Sequence, residues 1–369
     1  MSQKTVDLFF GPQHPGITGN FSVRVKIDGD EVVKAQVIPG FLHRGFEKLM
    51  EMRHWMQGPA LICRICVPDP DHSETGYSTA VERLAGIEVP ERGRYIRALT
   101  LEMSRLSAYL FYFGGYAGSI GLYTMGHWAV GDRDYLLDLY EELTGARVYH
   151  IFNFPGGPRW DTPPGFEDRV DKLMDYYEKR LKEYDKLYFN NKIFLKRAKG
   201  TAVMTKAYAQ KMEVTGPNAR STGWAIDVRK DDPYAAYPDL DFDTITQKEG
   251  DNYARILQRR LEFEQSIALI RQITKKLRTL PRGDIRVTPN PLHWKIPPGE
   301  AYGAVESSKG ELGYYVVSDG GIGPYRMQAR GPTISHGVQV YEEMVVGQRL
   351  ADVAALMFSL DVCPPDIDR

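Results

Sequence analysis

Cysteine is scarce: the 369-residue chain has three. Three is too few, and of the wrong parity, for a disulfide scaffold, and it suits a reducing, cytoplasm-facing location. Charge of one sign is also lacking, with 47 Lys plus Arg against 48 Asp plus Glu and a net charge of −1. That excludes a nucleic-acid binder held by net charge, so no nucleic-acid partner is expected. No run of about 18 apolar residues occurs, so no transmembrane helix is expected. The most apolar stretch, Ala108 to Gly115, is far too short. The opening residues Met1 to Lys4 lack the apolar region of a signal peptide. Work at a membrane would require something else to hold the chain there. What is present is a 43% hydrophobic composition, which excludes a charge-extended disordered chain. The length predicts two or three structural units around a large core. Gly at 35 and Pro at 23 predict long ordered loops.

The first 40 residues read as β. Phe21, Val23, Val25 and Ile27 alternate with polar residues, which puts one apolar face on a strand. Asp28-Gly29 is a hairpin signal, followed by a second apolar stretch, Val32 to Ile38. From about residue 46 the period becomes helical. Ile96, Leu99, Met103, Leu106 and Leu110 follow a start signal at Pro90-Glu91. Val170, Leu173, Tyr177, Leu181 and Tyr184 repeat the pattern, and Asp251 to Leu277 carries it with Ile256, Phe263, Ile267 and Ile270. A fourth helix is predicted over Gly337 to Leu360, with Val340, Met344 and Leu350. Ala304 to Arg330 looks β again, before and after the turn Asp319-Gly320-Gly321. The expected fold class is α+β, a mainly helical bundle with an N-terminal antiparallel β unit and a small C-terminal β/loop region. The segments are 1–45, the β unit; 46–290, the bundle; and 291–369, the β/loop region with the last long helix and a C-terminal tail.

The cysteines stand at Cys63-Arg64-Ile65-Cys66 and at Cys363-Pro364-Pro365-Asp366. A lone Cys-x-x-Cys is compatible with a metal half-site, a redox pair, or two core thiols. Three thiolates with Asp366 would also make a zinc set, although Arg64 between the thiols is unusual in a zinc knuckle.

Several motifs carry a resemblance that spans nearly the whole chain. They are Gly11-Pro12-Gln13-His14-Pro15, Gly40-Phe41-Leu42-His43-Arg44-Gly45-Phe46-Glu47-Lys48, Gly310 to Gly321, and the ending Asp366-Ile367-Asp368-Arg369. They resemble the superfamily of the quinone-site large subunit of complex I and the large subunit of membrane-bound [NiFe] hydrogenases. By that resemblance Cys63, Cys66, Cys363 and Asp366 stand at the four metal-ligand positions, Cys66 and Asp366 at the bridging ones. A hard carboxylate there does not suit a nickel–iron pair. The hydrogenase's second-sphere arginine is replaced within Ser308-Lys309-Gly310. A working [NiFe] centre is therefore not expected, and the metal positions are read as vestigial. Glu47 matches the hydrogenase's proton-passing glutamate, with a salt bridge to Arg44 or Lys48 as the plain alternative. The quinone branch holds its headgroup with a His and a Tyr, where this chain has Thr18 and Val67. Val67 cannot donate a hydrogen bond, which disfavours a quinone reductase.

A third branch fits better. The catalytic large subunit of membrane-bound sulfane sulfur reductases resembles this chain in the ending Asp361 to Arg369, in a cysteine at Cys66 and in Tyr149-His150-Ile151. Cys63 is a departure from it. The resemblance implies that Cys66 and Cys363, with Cys63 close by, reduce polysulfide by thiol exchange, with Arg64 lowering a thiol pKa. Glu47, His43 and Asp366 would supply protons. It also implies a [4Fe-4S] cluster in an adjacent small iron–sulfur subunit, since three thiolates here are too few to hold one. Arg64, and more weakly His150, would lie beside that cluster. Further implied are other hydrophilic-arm subunits, antiporter-like membrane subunits, ferredoxin as donor, ion translocation, and a peripheral place on the cytoplasmic face of the membrane. The competing readings are a hydrogenase with a modified site, a quinone oxidoreductase subunit and a non-catalytic structural adaptor. Three further features have plain readings. His14 anchors a loop, His127 caps or packs within the bundle, and Tyr109, Phe111, Tyr112 and Phe113 mean core plus a subunit contact.

Overall fold

A computed structural model describes residues 5–18, 20–287 and 289–369. The N-terminal alternation forms a three-stranded antiparallel sheet, Val6–Phe10, Ser22–Asp28 and Glu31–Ile38, in that spatial order. The hairpin turns at Gly29, whose φ of +62° is one that L side chains rarely adopt. Val23, Val25, Val32 and Val37 face inward.

Four helices form the bundle: Glu91–Ser119, Tyr123–Thr144, Phe166–Tyr184 and Asn252–Thr279. Glu91–Ser119 lies centrally and packs against both Tyr123–Thr144 and Asn252–Thr279. Phe113 closes the core edge-on to Phe189, with centroids 5.3 Å apart. The helix Pro70–Ala85 links this bundle to a second antiparallel sheet, Gly299–Ser307, Gly310–Ser318 and Arg326–Arg330. Gly303 allows the close approach, because a Cβ there would lie 2.4 Å from the Ala80 nitrogen. The architecture is α+β, with the predicted helical bundle and the two flanking β units. Among the described residues no helix is long and apolar enough to cross a membrane.

The predicted fourth helix is not continuous. Residues 334–360 form three short helices, Ile334–Gly337, Gln339–Val345 and Asp352–Leu360. The break at 346–351 has a local cause, since Gly347 adopts φ +80°. The freed backbone bonds the N-terminal hairpin instead. Gly347 N–H donates to Val32 O at 2.8 Å, Val32 N–H to Gln348 O at 2.9 Å, and Leu350 N–H to Asp30 O at 2.9 Å. The first sheet and the C-terminal helices therefore share one core, with Val25, Val37, Val340, Leu356 and Leu360 in it. This brings the chain's two ends together.

His127 also departs from expectation, because it is exposed inside the helix Tyr123–Thr144, neither at its cap nor packed within the bundle. His14 does anchor its loop, where its Nδ1 accepts the Gly16 N–H at 3.0 Å. Tyr109, Tyr112 and Phe113 are core, while Phe111 is half exposed.

Candidate functional site

Cys63 caps a short helix, Gly58–Ile62, and Cys66 follows in the turn before Pro70–Ala85. Cys363 precedes the last helix, Pro364–Asp368, which packs beside Ile334–Gly337. The joined ends bring Cys66 and Cys363 into contact, their sulfurs 3.7 Å apart. Each keeps about 7% of its surface accessible. Cys63 is fully buried and turned elsewhere, with its sulfur 3.6 Å from Ala60 O and 3.3 Å from Arg64 Nη1.

Asp366 lies below the pair. Its Oδ2 accepts the Thr333 N–H at 3.0 Å and the Thr333 hydroxyl at 2.7 Å, and that hydroxyl also reaches Cys363 O at 3.1 Å. Asp366 Oδ1 is buried without a hydrogen-bond partner. Burial pushes this carboxyl up to about 6, against the Thr333 bonds. The four family ligand positions thus hold two thiols in mutual contact, a third thiol on Arg64 and a carboxylate committed to Thr333. Among the described residues no three His, Cys, Asp or Glu side chains converge as a metal set. This donor arrangement does not fit a four-ligand nickel–iron centre, and no chemistry is derived through one.

Arg64 pulls Cys63 down, as expected, but does not prevail. Burial pushes Cys63 up to about 12, and the nearby Glu74 adds to that, outweighing Arg64. Cys66 is raised by its contact with Cys363 and by burial. The cation that opposes this at Cys66 is Lys309. Lys309 is buried, and its Nζ lies 2.6 Å from Asp361 Oδ1. Burial would strip its proton, but Asp361 and the two thiols hold its pKa above the ordinary value. In the sequence Lys309 is visible only as a substitution for an arginine. Its partner Asp361, two residues before Cys363, gives no separate signal.

Asp69 is a second group that the sequence does not single out. Its N–H donates to Cys66 O at 3.4 Å, and its carboxylate takes His72 Nδ1, Ser104 Oγ at 3.1 Å, Ser308 N–H at 2.8 Å and Ser308 Oγ at 2.7 Å. Burial alone would raise Asp69; His72 and Ser308 hold it below the usual carboxylate range. The available hint is the Asp-x-x-His spacing at a helix start.

Arg64 also spans outward, its guanidinium 5.4 Å from the Tyr149 ring centre. Tyr149 and Ile151 both take positive φ, 59° and 49°. Such strain persists only when neighbours fix it. Glu74 does so by accepting the N–H groups of Ile151, Phe152 and Asn153 at 2.7–2.8 Å. His150, between the strained residues, donates to Asp71 at 2.9 Å and stacks on Tyr140 at 3.7 Å. Burial opposes its charge, but Asp71 outweighs burial and raises its pKa. His150 is thus buried behind Tyr149, and Arg64 and Tyr149 stand nearer the surface.

Glu47 and His43 tie the ends together. Glu47 does not pair with Arg44 or Lys48; it accepts the Ala329 N–H at 3.1 Å and meets Arg326 at 3.2 Å and Arg369 at 3.7 Å. His43 Nδ1 donates to Asp368 O at 2.7 Å, and the Asp368 carboxylate takes the Gly40 and Leu42 N–H groups at 2.8 Å. Thr18 is half-buried, its N–H 3.5 Å from Met357 Sδ, and Val67 is exposed.

Residues 119–294 and 291–369 match the family described as the respiratory-chain NADH dehydrogenase, 49 Kd subunit. The D-type subunit of the NADH-quinone oxidoreductase of Thermosipho melanesiensis is 46% identical over 99% of both chains. The D-type subunit of the F(420)H(2) dehydrogenase of Methanosarcina mazei is 36% identical over 97% of this chain and 96% of its own. A chain in the solved structure of the membrane-bound sulfane sulfur reductase, an archaeal respiratory membrane complex, covers both chains fully at 51% identity and a TM-score of 0.95. The chain belongs to the 49-kDa subunit family of respiratory-chain NADH dehydrogenase, and is an oxidoreductase subunit of that complex I-related kind.

Proposed function

We propose that the chain is the catalytic large subunit of a membrane-bound respiratory complex that reduces sulfane sulfur at Cys66 and Cys363. The observation that carries this reading is the contact between two nearly buried thiols, 3.7 Å apart, at the junction of the two chain ends. The likeness to the sulfane sulfur reductase chain supports it.

Thiol exchange needs a nucleophile and a resolving thiol within reach. Cys66 loses its proton, and the thiolate attacks a terminal sulfur of a polysulfide. One S–S bond forms and one breaks, leaving a Cys66 persulfide and a chain one sulfur shorter. The Cys363 thiolate then attacks the persulfide at the Cys66 sulfur. A Cys66–Cys363 disulfide forms and, with one proton, hydrosulfide leaves. Two electrons and two protons reopen the disulfide. The net reaction consumes two electrons and one proton per sulfur released. Lys309 favours the Cys66 thiolate as it forms. Asp366 and, at the joined ends, His43 and Glu47 supply the protons in this reading.

In this reading a [4Fe-4S] cluster in an adjacent iron–sulfur subunit would supply the electrons. Arg64 and Tyr149 face that subunit in this reading. Other hydrophilic-arm subunits and antiporter-like membrane subunits hold the chain at the cytoplasmic face, with ferredoxin as donor and ion translocation as the coupled work.

A quinone acceptor is the second reading, favoured by the name of the 46% identical relative, a subunit of an NADH-quinone oxidoreductase. Val67 offers no donor for a headgroup. The test is Cys66→Ser and Cys363→Ser, separately, in the intact complex. Each is expected to abolish polysulfide reduction. Parental rates in both would end the thiol reading.

A further inference from the structure

The near-zero net charge conceals a segregation. Residues 132–185 hold thirteen Asp and Glu against eight Lys and Arg. Residues 186–212 hold six lysines and Arg197, and no acid at all. All six lysines are exposed. Among the described residues lysine ion pairs form at Lys48, Lys276 and Lys309, and at none of these six. Arg197 meets Asp352 at 3.4 Å, and Glu343, which takes the Tyr208 hydroxyl at 2.5 Å, lies near Lys211.

The helix Lys192–Ala198 fixes which side of this segment faces outward. Asn191 caps it, accepting the Ile193 and Phe194 N–H groups at 2.9 and 3.2 Å. Phe194 and Ala198, four apart, are buried. The Phe194 ring meets those of Tyr116 and Tyr253 at centroid distances of 5.9 and 6.0 Å. Tyr116 lies near the end of the helix Glu91–Ser119, and Tyr253 near the start of Asn252–Thr279, so the short helix closes one end of the bundle. Lys192 and Lys196 stand one turn apart on its outer side. Lys199, just past its end, lies over the Tyr253 ring at 4.8 Å. Ile193 goes outward with them. At 76% it is the most exposed large apolar side chain among the described residues, and Val203 in the following loop is 52% exposed.

Cations without acids repel one another, and an isoleucine held among them stays in water. An acidic protein surface would take the lysines but set Ile193 against charge. A plane of anionic headgroups over an apolar layer takes both. A peripheral subunit of a membrane complex has such a plane within reach.

We infer that residues 186–212 rest directly on anionic lipid, with Lys192, Lys196 and Lys199 at the headgroups and Ile193 in the interface. This end of the bundle is then the chain's own contact with the membrane surface, beside the contacts its partner subunits make.

The test is flotation of the full chain with vesicles of phosphatidylcholine and phosphatidylglycerol, against vesicles of phosphatidylcholine alone. Binding is expected on the anionic vesicles and weakens as salt rises. The triple variant Lys192→Gln, Lys196→Gln, Lys199→Gln is expected to lower the partition coefficient about a hundredfold. Ile193→Ser is expected to lower it about tenfold. The triple variant Lys172→Gln, Lys179→Gln, Lys182→Gln removes the same net charge from exposed positions in the acid-rich stretch, and should bind as the parent does. Equal binding to both kinds of vesicle overturns the inference. So does an equal loss in the two triple variants, which would make net charge the cause. Parental vesicle binding by the first triple variant, with partner subunits no longer retained, also overturns it and makes this face a protein contact.

Discussion

Gly331→Ala should dismantle the thiol pair without touching a sulfur. A Cβ at Gly331 would sit 1.2 Å from Asp366 Oδ1, 2.3 Å from its Cγ and 2.7 Å from its carbonyl oxygen. Non-bonded heavy atoms settle near about 3.5 Å. Rotating the carboxyl relieves the first two contacts but not the third, so the Asp366 main chain has to move. That movement breaks the bonds to Thr333 at 3.0 and 2.7 Å and disturbs the Thr333 bridge to Cys363 O. Leaving the Thr333 N–H buried and unpaired costs about 1–3 kcal/mol. Overpacking adds about 1–3 kcal/mol. The expected loss is therefore about 2–6 kcal/mol, read from the urea midpoint of the full chain at unchanged slope. The same variant should form the Cys66–Cys363 disulfide more slowly under diamide. Gly118→Ala is the control. It lies near the end of the helix Glu91–Ser119 with nothing within 4 Å of its Cβ position. A helix interior gains at most about 1 kcal/mol from this change. Parental stability and cross-linking in Gly331→Ala would refute the placement of the C-terminal tail.

Two other predictions follow from the same geometry. Mild diamide oxidation followed by peptide mapping should join Cys66 to Cys363 and leave Cys63 free, since the pair has only to close from 3.7 Å to a bond length of about 2.05 Å; a bridge to Cys63 would contradict this. Burial, with Arg259 and Lys309, holds His336 neutral and lowers its pKa to about 3. Its contribution is present above the unfolded value near 6.5 and fades as pH falls, because the unfolded chain takes the proton first. Between pH 7 and 5 the parent should lose about 2 kcal/mol more than His336→Gln; equal losses in urea unfolding would show that His336 is solvated.

Much of the scaffold is readable from local pattern. The alternation Phe21 to Ile27, the turn at Asp28-Gly29 and the start at Pro90-Glu91 are short-range signals, and each matches an element of the fold. The long helix expected over 337–360 fails because periodicity does not show its competitor. Gly347 opens the chain, and the hairpin edge takes the backbone bonds that a helix would keep. The helix Tyr123–Thr144 escapes a pattern reading because Gly126, Gly131 and scattered aromatics hide its stripe. At the site, the cysteines and Asp366 announce themselves through the family resemblance. Lys309, Asp361 and Asp69 do not, because what they do depends on partners far away in the chain. Lys309 meets Asp361 across 52 positions, and Asp69 meets Ser308 across 239. The effect of Arg64 departs from expectation for a related reason, since a neighbouring charge is visible in a sequence and the depth of burial is not.

The most direct measurement is peptide mass spectrometry of the intact complex carrying Cys363→Ser, quenched with acid after brief exposure to tetrasulfide. Without the resolving thiol, the first intermediate has no route to a disulfide. The account predicts one added sulfur atom on Cys66, none on Cys63, a shortened polysulfide, and no hydrosulfide release. An unmodified Cys66 with hydrosulfide released at the parental rate would contradict it.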